Sequence, residues 1–191
     1  MSVKNKTNKN NTHTKNKTIK NKTNKINSNI YIFLYGALMN SCSRKKTLQH
    51  IVENKPCILL KKFGYTRCLC VESKQKNEIY LGIIKSTKSK DINGSLINIK
   101  KFSTLNKLKK REIHYYLKQI PNDCMFLPDE LNKNDKIYTF IPYSKYITNN
   151  KKIETYNNVK EYTEKVMMGY QSISDEYLQT FLNTTDNFFK K

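Results

Sequence analysis

The chain has 191 residues, with 36 Lys and Arg against 15 Asp and Glu, a formal net charge of +21. That length holds one domain with a sizeable core, not two of ordinary size. Five Gly, four Pro and no run of 18 apolar residues exclude collagen-like, Gly/Pro-rich low-complexity and helical membrane-spanning classes. The charge suits polyanions such as nucleic acid, ribosomes or anionic membranes. The same excess of Lys, alongside Asn, Ile and Tyr, is also what a biased nucleotide composition produces.

Residues 1–29 hold eight Lys, nine Asn and five Thr, and no acid. Two Ile and one Val cannot bury enough surface to order such a tract, so it reads as a disordered tail. A transit peptide shares the lack of acids but needs Arg and an amphipathic period, and neither is present. From Ile30 the pattern changes to a globular domain over 30–191.

Ile30-Tyr31-Ile32-Phe33-Leu34-Tyr35, closed by Gly36, predicts a buried strand. Ser41 and Ser43 are candidate caps for a short basic helix over 44–52, ended by Pro56. Cys57 to Leu60 and Tyr65 to Val71 read as one long or bent strand broken at Gly64. Ile79 to Ile84 is the next strand, followed by a polar loop. Asn93-Gly94 reads as a turn leading into a strand over 95–99. Ser103 caps a helix carrying Leu105, Leu108 and Glu112 at i, i+3, i+7 spacing. His114 to Ile120 and Lys136 to Ile141 are strands around a loop over 121–135. Two helices close the chain. One bears Val159, Tyr162, Val166 and Met167. The other bears Tyr177, Leu178, Phe181 and Leu182, with Ser174 as its cap. The fold class is α+β, a small mixed sheet or β-barrel with helices packed on it.

The cysteines are Cys42, Cys57, Cys68, Cys70 and Cys124. Their odd number and the absence of C-x-x-C predict reduced, structural thiols in a cytoplasmic chain. Cys68 and Cys70 alternate onto one strand face, where packing is a better reading than a metal pair. His13, His50 and His114 stand at no ligand spacing from them.

Two places carry chemistry. At Tyr35-Gly36-Ala37-Leu38 a buried strand stops at Gly, so several backbone N–H groups can face one carboxylate or developing oxyanion. Glu112 is the only acid in residues 92–122 and falls on the apolar side of a Lys-rich helix. Desolvation and the negative end of the helix dipole both raise the pKa of such a carboxyl, as a general base near neutral pH requires. Arg111 or Lys109 neutralising it at the surface is the competing reading.

These residues occur in an order that resembles the γ-glutamylcyclotransferase superfamily, its γ-glutamylamine branch included. Tyr35-Gly36-Ala37-Leu38 and the following Met39-Asn40-Ser41-Cys42-Ser43-Arg44 are similar to its opening motif. Gly64-Tyr65-Thr66-Arg67 and Asn93-Gly94-Ser95-Leu96 follow in family order, then Leu105, Leu108, Arg111 and Glu112. Tyr162 precedes Gly169 by seven residues, and Asp175-Glu176-Tyr177-Leu178 comes after. Ala37 stands where the family commonly has Ser or Thr, and Ile113 where Gly often follows the Glu. The resemblance implies a compact β-barrel with flanking helices and a cavity. It implies cyclisation of a small-molecule γ-glutamyl substrate to 5-oxoproline, with release of an amine or amino acid. Glu112 is then the general acid/base. Tyr35, Gly36, Ala37 and Leu38 hold the substrate head through their backbone, and Tyr162 donates a hydrogen bond. No metal, cofactor or membrane is implied, and nucleic acid enters only through non-specific charge. The alternatives are a family fold serving as an inactive binding protein, or a basic nucleic-acid-associated protein.

Overall fold

The computed structural model describes residues 28–50, 52–127, 131–132, 134–149 and 152–188. Most of the Lys/Asn/Thr tract therefore lies outside the described residues, as do residues 128–130 and 133 of the loop expected over 121–135. In chain order the elements are β1 (Ile30–Leu34), a 3-10 turn (Ala37–Met39), α1 (Ser41–Leu48), β2 (Lys55–Leu59), β3 (Tyr65–Ser73), β4 (Glu78–Lys85), β5 (Ile92–Asn98) and α2 (Phe102–Arg111). They continue with β6 (Tyr115–Ile120), β7 (Met125–Phe126), β8 (Lys136–Pro142), α3 (Val159–Gln171), α4 (Asp175–Thr184) and β9 (Thr185–Asp186).

The class is α+β, as expected. The strands form a curled, incompletely closed barrel made of two sheets, ordered β6-β8-β1-β5-β2-β7 and β4-β3-β9. Both are mixed, since β1 runs parallel to β8 and β3 parallel to β9. The apolar run of β1 is central in the larger sheet, with Ile32, Phe33 and Leu34 buried in one core with Leu96, Ile97 and Ile137. Asn29 already belongs to this body. Its backbone N–H and side-chain amide both donate to the buried Asp135 carboxylate (2.8 and 3.1 Å).

Several local expectations are corrected. The first helix begins earlier, capped by Asn40, whose side chain accepts from the Ser43 N–H (3.1 Å), and it ends at Leu48 with Gln49 left-handed. Pro56 lies inside β2, at a position where only β5 pairs with that strand, so its missing N–H leaves no ladder bond open. The segments on either side of Gly64 are two strands in different sheets. A 3-10 turn over Lys61–Phe63, ending at Gly64 with φ +81°, carries the chain from one to the other. Asn93-Gly94 is not a turn but part of β5. A Cβ on Gly94 would lie 2.3 Å from the Leu34 carbonyl oxygen, so glycine serves close approach of β1 there. The helix α2 starts after Lys101 without a side-chain cap, which leaves Ser103 within its first turn. Ser174 does cap α4, accepting from the Tyr177 N–H (3.1 Å).

The expectation of five reduced thiols is also overturned, because Cys68 and Cys70 form a disulfide. The ladder between β3 and β4 shifts register between Leu69 and Val71, a bulge that sets the two cysteine Cα atoms 5.4 Å apart. A regular strand holds i and i+2 residues farther apart, and periodicity alone does not reveal a bulge. The same bond removes the metal-pair reading. Cys42, Cys57 and Cys124 are free thiols.

Candidate active site

The end of β1 builds the first wall of the site. Gly36 accepts from the Met39 N–H (2.8 Å) and Ala37 from the Asn40 N–H (3.2 Å), closing the 3-10 turn. In a helical turn the N–H groups point towards its N-terminal end, so those of Ala37 and Leu38 face outward from the turn. Arg44, 5% exposed, pins the other side of the loop. Its guanidinium donates to the carbonyls of Leu38 (2.8 Å) and Met39 (3.1 Å), with further bonds to Val52 and Asn54. The Tyr35 side chain turns into the core, where its hydroxyl donates to the Phe140 carbonyl (2.6 Å). Leu38 is likewise buried by its side chain.

The second wall comes from the end of α2. Leu105 and Leu108 are buried, and Glu112 follows on the same face as the C-terminal cap. Its side chain is 19% exposed and accepts from Arg111 Nε (3.1 Å). Burial raises the carboxyl above the ordinary glutamate pKa, while the charge and hydrogen bond of Arg111 oppose the shift. Arg111 is itself held by α1, donating to Thr47 (2.6 Å) and Ser43 (3.2 Å). Of the two readings of Arg111, the structure joins them: it pairs with Glu112, but at the wall of a cavity rather than on an open surface.

The third wall is α3. Tyr162 is buried, and its hydroxyl accepts from the Leu81 N–H (3.0 Å), with the Ala37 N–H also in reach. The proton of that hydroxyl is left to donate. Gly169, two turns on along the same face, lets the helix touch the loop. A Cβ there would be 2.5 Å from the Asn40 nitrogen and 2.7 Å from the Met39 carbonyl carbon. This contact sets Tyr162 over Gly36, where a Cβ would meet the hydroxyl at 3.4 Å. The seven-residue spacing therefore has a physical cause: Gly169 brings the helix in and Tyr162 reaches the site.

The three walls enclose one cavity of about 360 Å³, lined by every residue the sequence singled out: Tyr35, Gly36, Ala37, Leu38, Glu112 and Tyr162. Burial above all, with a smaller contribution from the negative charge of Glu112, raises the phenol pKa of Tyr35, Tyr115 and Tyr162. Sequence reasoning missed Tyr80, His114 and Tyr115 in the lining. The Tyr115 hydroxyl donates to the Leu81 carbonyl (2.8 Å), and Tyr80 hydrogen-bonds to Glu78. Burial and Lys76 lower the His114 pKa, with Glu78 opposing them. No periodic signal marks these residues, because the faces that β4 and β6 turn to the cavity are decided by pairing with β3 and β8, and His114 sits in the turn before β6.

Arg67 stands behind the site. It is fully buried and donates to Tyr170 (2.7 Å), Thr185 (2.7 Å), Thr184 (2.9 Å) and both oxygens of Asn93 (2.7 and 3.0 Å). The Tyr170 hydroxyl in turn donates to the Tyr35 carbonyl (3.0 Å), so this cation braces the base of the loop.

No protein-family model matches the chain, and no curated protein matches it. Solved structures do. A γ-glutamyl cyclotransferase structure superposes with a TM-score of 0.57 at 12% identity, covering 86% of this chain and 92% of the other. A yeast γ-glutamyl cyclotransferase specific to glutathione gives 0.56 at 15% identity, over 83% of this chain and 96% of that one. The fold is that of the γ-glutamyl cyclotransferases. YkqA from Bacillus subtilis gives 0.53 at 17% identity; this chain covers 53% of its length, about half.

Proposed function

We propose that the chain is a γ-glutamylcyclotransferase-type enzyme that converts a γ-glutamyl compound to 5-oxoproline and a free amine or amino acid. The observation that carries this reading is the convergence of a partly desolvated Glu112, the 35–38 backbone and the Tyr162 hydroxyl on one cavity of the cyclotransferase fold. A volume of about 360 Å³ suits a small ligand of dipeptide size.

The reaction needs three things from the protein. The substrate must fold so that its α-nitrogen meets its own γ-carbonyl carbon, which gives an intramolecular nucleophile a large effective molarity. The α-ammonium must lose a proton, and the Glu112 carboxylate takes it. As the C–N bond of the ring forms, negative charge develops on the γ-carbonyl oxygen. The Tyr162 hydroxyl, held by the Leu81 and Ala37 N–H groups, and the outward N–H of Leu38 are the donors for it. Collapse of this intermediate breaks the γ-amide C–N bond: the proton on Glu112 passes to the leaving nitrogen, and the second proton that the ring nitrogen sheds follows it, so that the lactam keeps one N–H and the amine leaves as its ammonium. The carboxylate is thereby restored. Arg111 positions Glu112, and its charge and hydrogen bond favour the carboxylate against the upward pull of burial. Ala37 in place of a hydroxyl residue keeps the backbone donor this scheme uses.

Incubation with a panel of γ-glutamyl amino acids, γ-glutamyl amines and glutathione, with chromatographic detection of 5-oxoproline, tests the reading. Catalysed release from at least one of them is expected; no release from any, by folded protein, overturns it.

A further inference from the structure

The positive charge is unevenly divided. Residues 30–50 and 92–111, which build β1, α1, β5 and α2, carry nine Lys and Arg and no Asp or Glu. Residues 152–188, which build α3 and α4, carry three Lys and six acids. A uniform compositional excess of lysine would not polarise the molecule in this way.

The two acid-free helices are neighbours. Arg111 on α2 donates to Thr47 and Ser43 on α1, and Lys107 reaches the Leu48 carbonyl (3.3 Å) and Gln49 (2.6 Å) at the end of α1. Lys45 and Lys46 on α1, and Lys100, Lys101, Lys109 and Lys110 at and along α2, are exposed. None of them is in an ion pair among the described residues. Beside Lys100 and Lys101 stands Phe102, 73% exposed.

The chemistry of this face selects among polyanions. A helix that lies in a membrane surface must offer an apolar side to the acyl chains. Here the aliphatic residues of α2, Leu105 and Leu108, are buried in the core, and so is Leu48 of α1, which leaves Phe102 as a single apolar side chain outward on these helices rather than an apolar side. The outward side of the two helices is polar, with exposed lysines and one exposed aromatic ring, Phe102, the combination that tracks a phosphodiester backbone and stacks on an unpaired base. We propose that the α1–α2 face is a docking surface for single-stranded nucleic acid, with its lysines on the phosphates and Phe102 stacked on a base. The proposal is independent of the cyclotransferase reading.

Fluorescence anisotropy of a labelled oligouridylate, titrated with the full chain over a salt series, tests it. Two variants of the full chain are compared. One combines Lys45→Gln, Lys101→Gln, Lys109→Gln and Lys110→Gln; the other combines Lys85→Gln, Lys88→Gln, Lys136→Gln and Lys160→Gln. All eight positions are exposed, both variants lose the same net charge, and both keep the eight lysines of residues 1–29. Four lost phosphate contacts should flatten the slope of log K against log salt by about 3 for the first variant, and leave that of the second near the parent's. Phe102→Ala should weaken binding about fivefold or more at every salt concentration. Equal losses in the two fourfold variants would reduce the effect to net charge and overturn the proposal. So would displacement of the oligonucleotide by phosphatidylserine vesicles through the same four lysines.

Discussion

Replacing Glu112 by Gln keeps the shape of the side chain and removes the proton acceptor. If Glu112 carries the proton, the variant loses the general acid/base contribution, a fall in turnover of roughly 10²–10⁴, or about 2.7–5.4 kcal/mol of transition-state stabilisation. The fold should survive. The side chain makes one charged contact, with Arg111 Nε, between groups 19% and 34% exposed. A pair this open to solvent is worth about 0–1 kcal/mol, and Arg111 keeps its bonds to Thr47 and Ser43. Stability has a pH signature as well. Burial raises the Glu112 pKa in the folded state, so the native protein holds this proton more tightly than the unfolded chain. The stability it contributes is complete below the unfolded value and is lost as pH rises through the folded one. The Gln variant has no such loss, so its stability relative to the parent should improve from acidic to neutral pH. For the same reason the acid limb of the parent's kcat/KM profile should lie above the ordinary glutamate pKa. The assay is 5-oxoproline production against pH, with urea denaturation of both proteins at acidic and neutral pH. A folded Gln variant with turnover near the parent's would refute the assignment.

Three further outcomes are expected. Tyr162→Phe removes a buried hydroxyl that accepts from the Leu81 N–H; stability should fall by about 1–3 kcal/mol and turnover by up to about 10²–10³, whereas turnover equal to the parent's would remove Tyr162 from the chemistry. Gly169→Ala drives a Cβ against the backbone of Met39 and Asn40; an overpacking cost of about 1–3 kcal/mol lowers the thermal midpoint by several degrees, and turnover should drop with it as Tyr162 moves off the loop. An unchanged midpoint in a thermal melt would contradict the close contact. Arg67→Lys keeps the charge but loses the fork that reaches Asn93, Tyr170, Thr184 and Thr185, and denaturant unfolding should show a loss above about 3 kcal/mol.

Much of the site was legible along the chain because its parts are local. The apolar run from Ile30 ends at Gly36 within a few residues, and Glu112 stands out as a single acid in a basic window on the face of Leu105 and Leu108. The α4 cap at Ser174 was legible for the same reason, since a capping bond spans only three residues. What the chain alone left undecided depends on partners far away in sequence. Asn93-Gly94 carries the strongest short-range turn signal in the chain, yet it lies in β5, because the Leu34 carbonyl and the Phe33 ring approach too closely for any side chain at position 94. Lys55–Leu59 and Tyr65–Ser73 look like one interrupted strand, but which sheet each joins is set by pairing with β5 and β4. The Cys68–Cys70 bond needs a bulge that exists only in the ladder with β4. Tyr80 and Tyr115 line the cavity through the register of paired strands, and His114 through the turn that leads into β6, which periodicity within one segment does not encode. Nothing local in the sequence marks Arg44 and Arg67 as buried; the fold closes over both and supplies backbone and side-chain oxygens as acceptors. Composition and local pattern thus settled most of the strands and helices and which residues carry reactive groups; long-range pairing and burial decided where the remaining strands run and what those groups face.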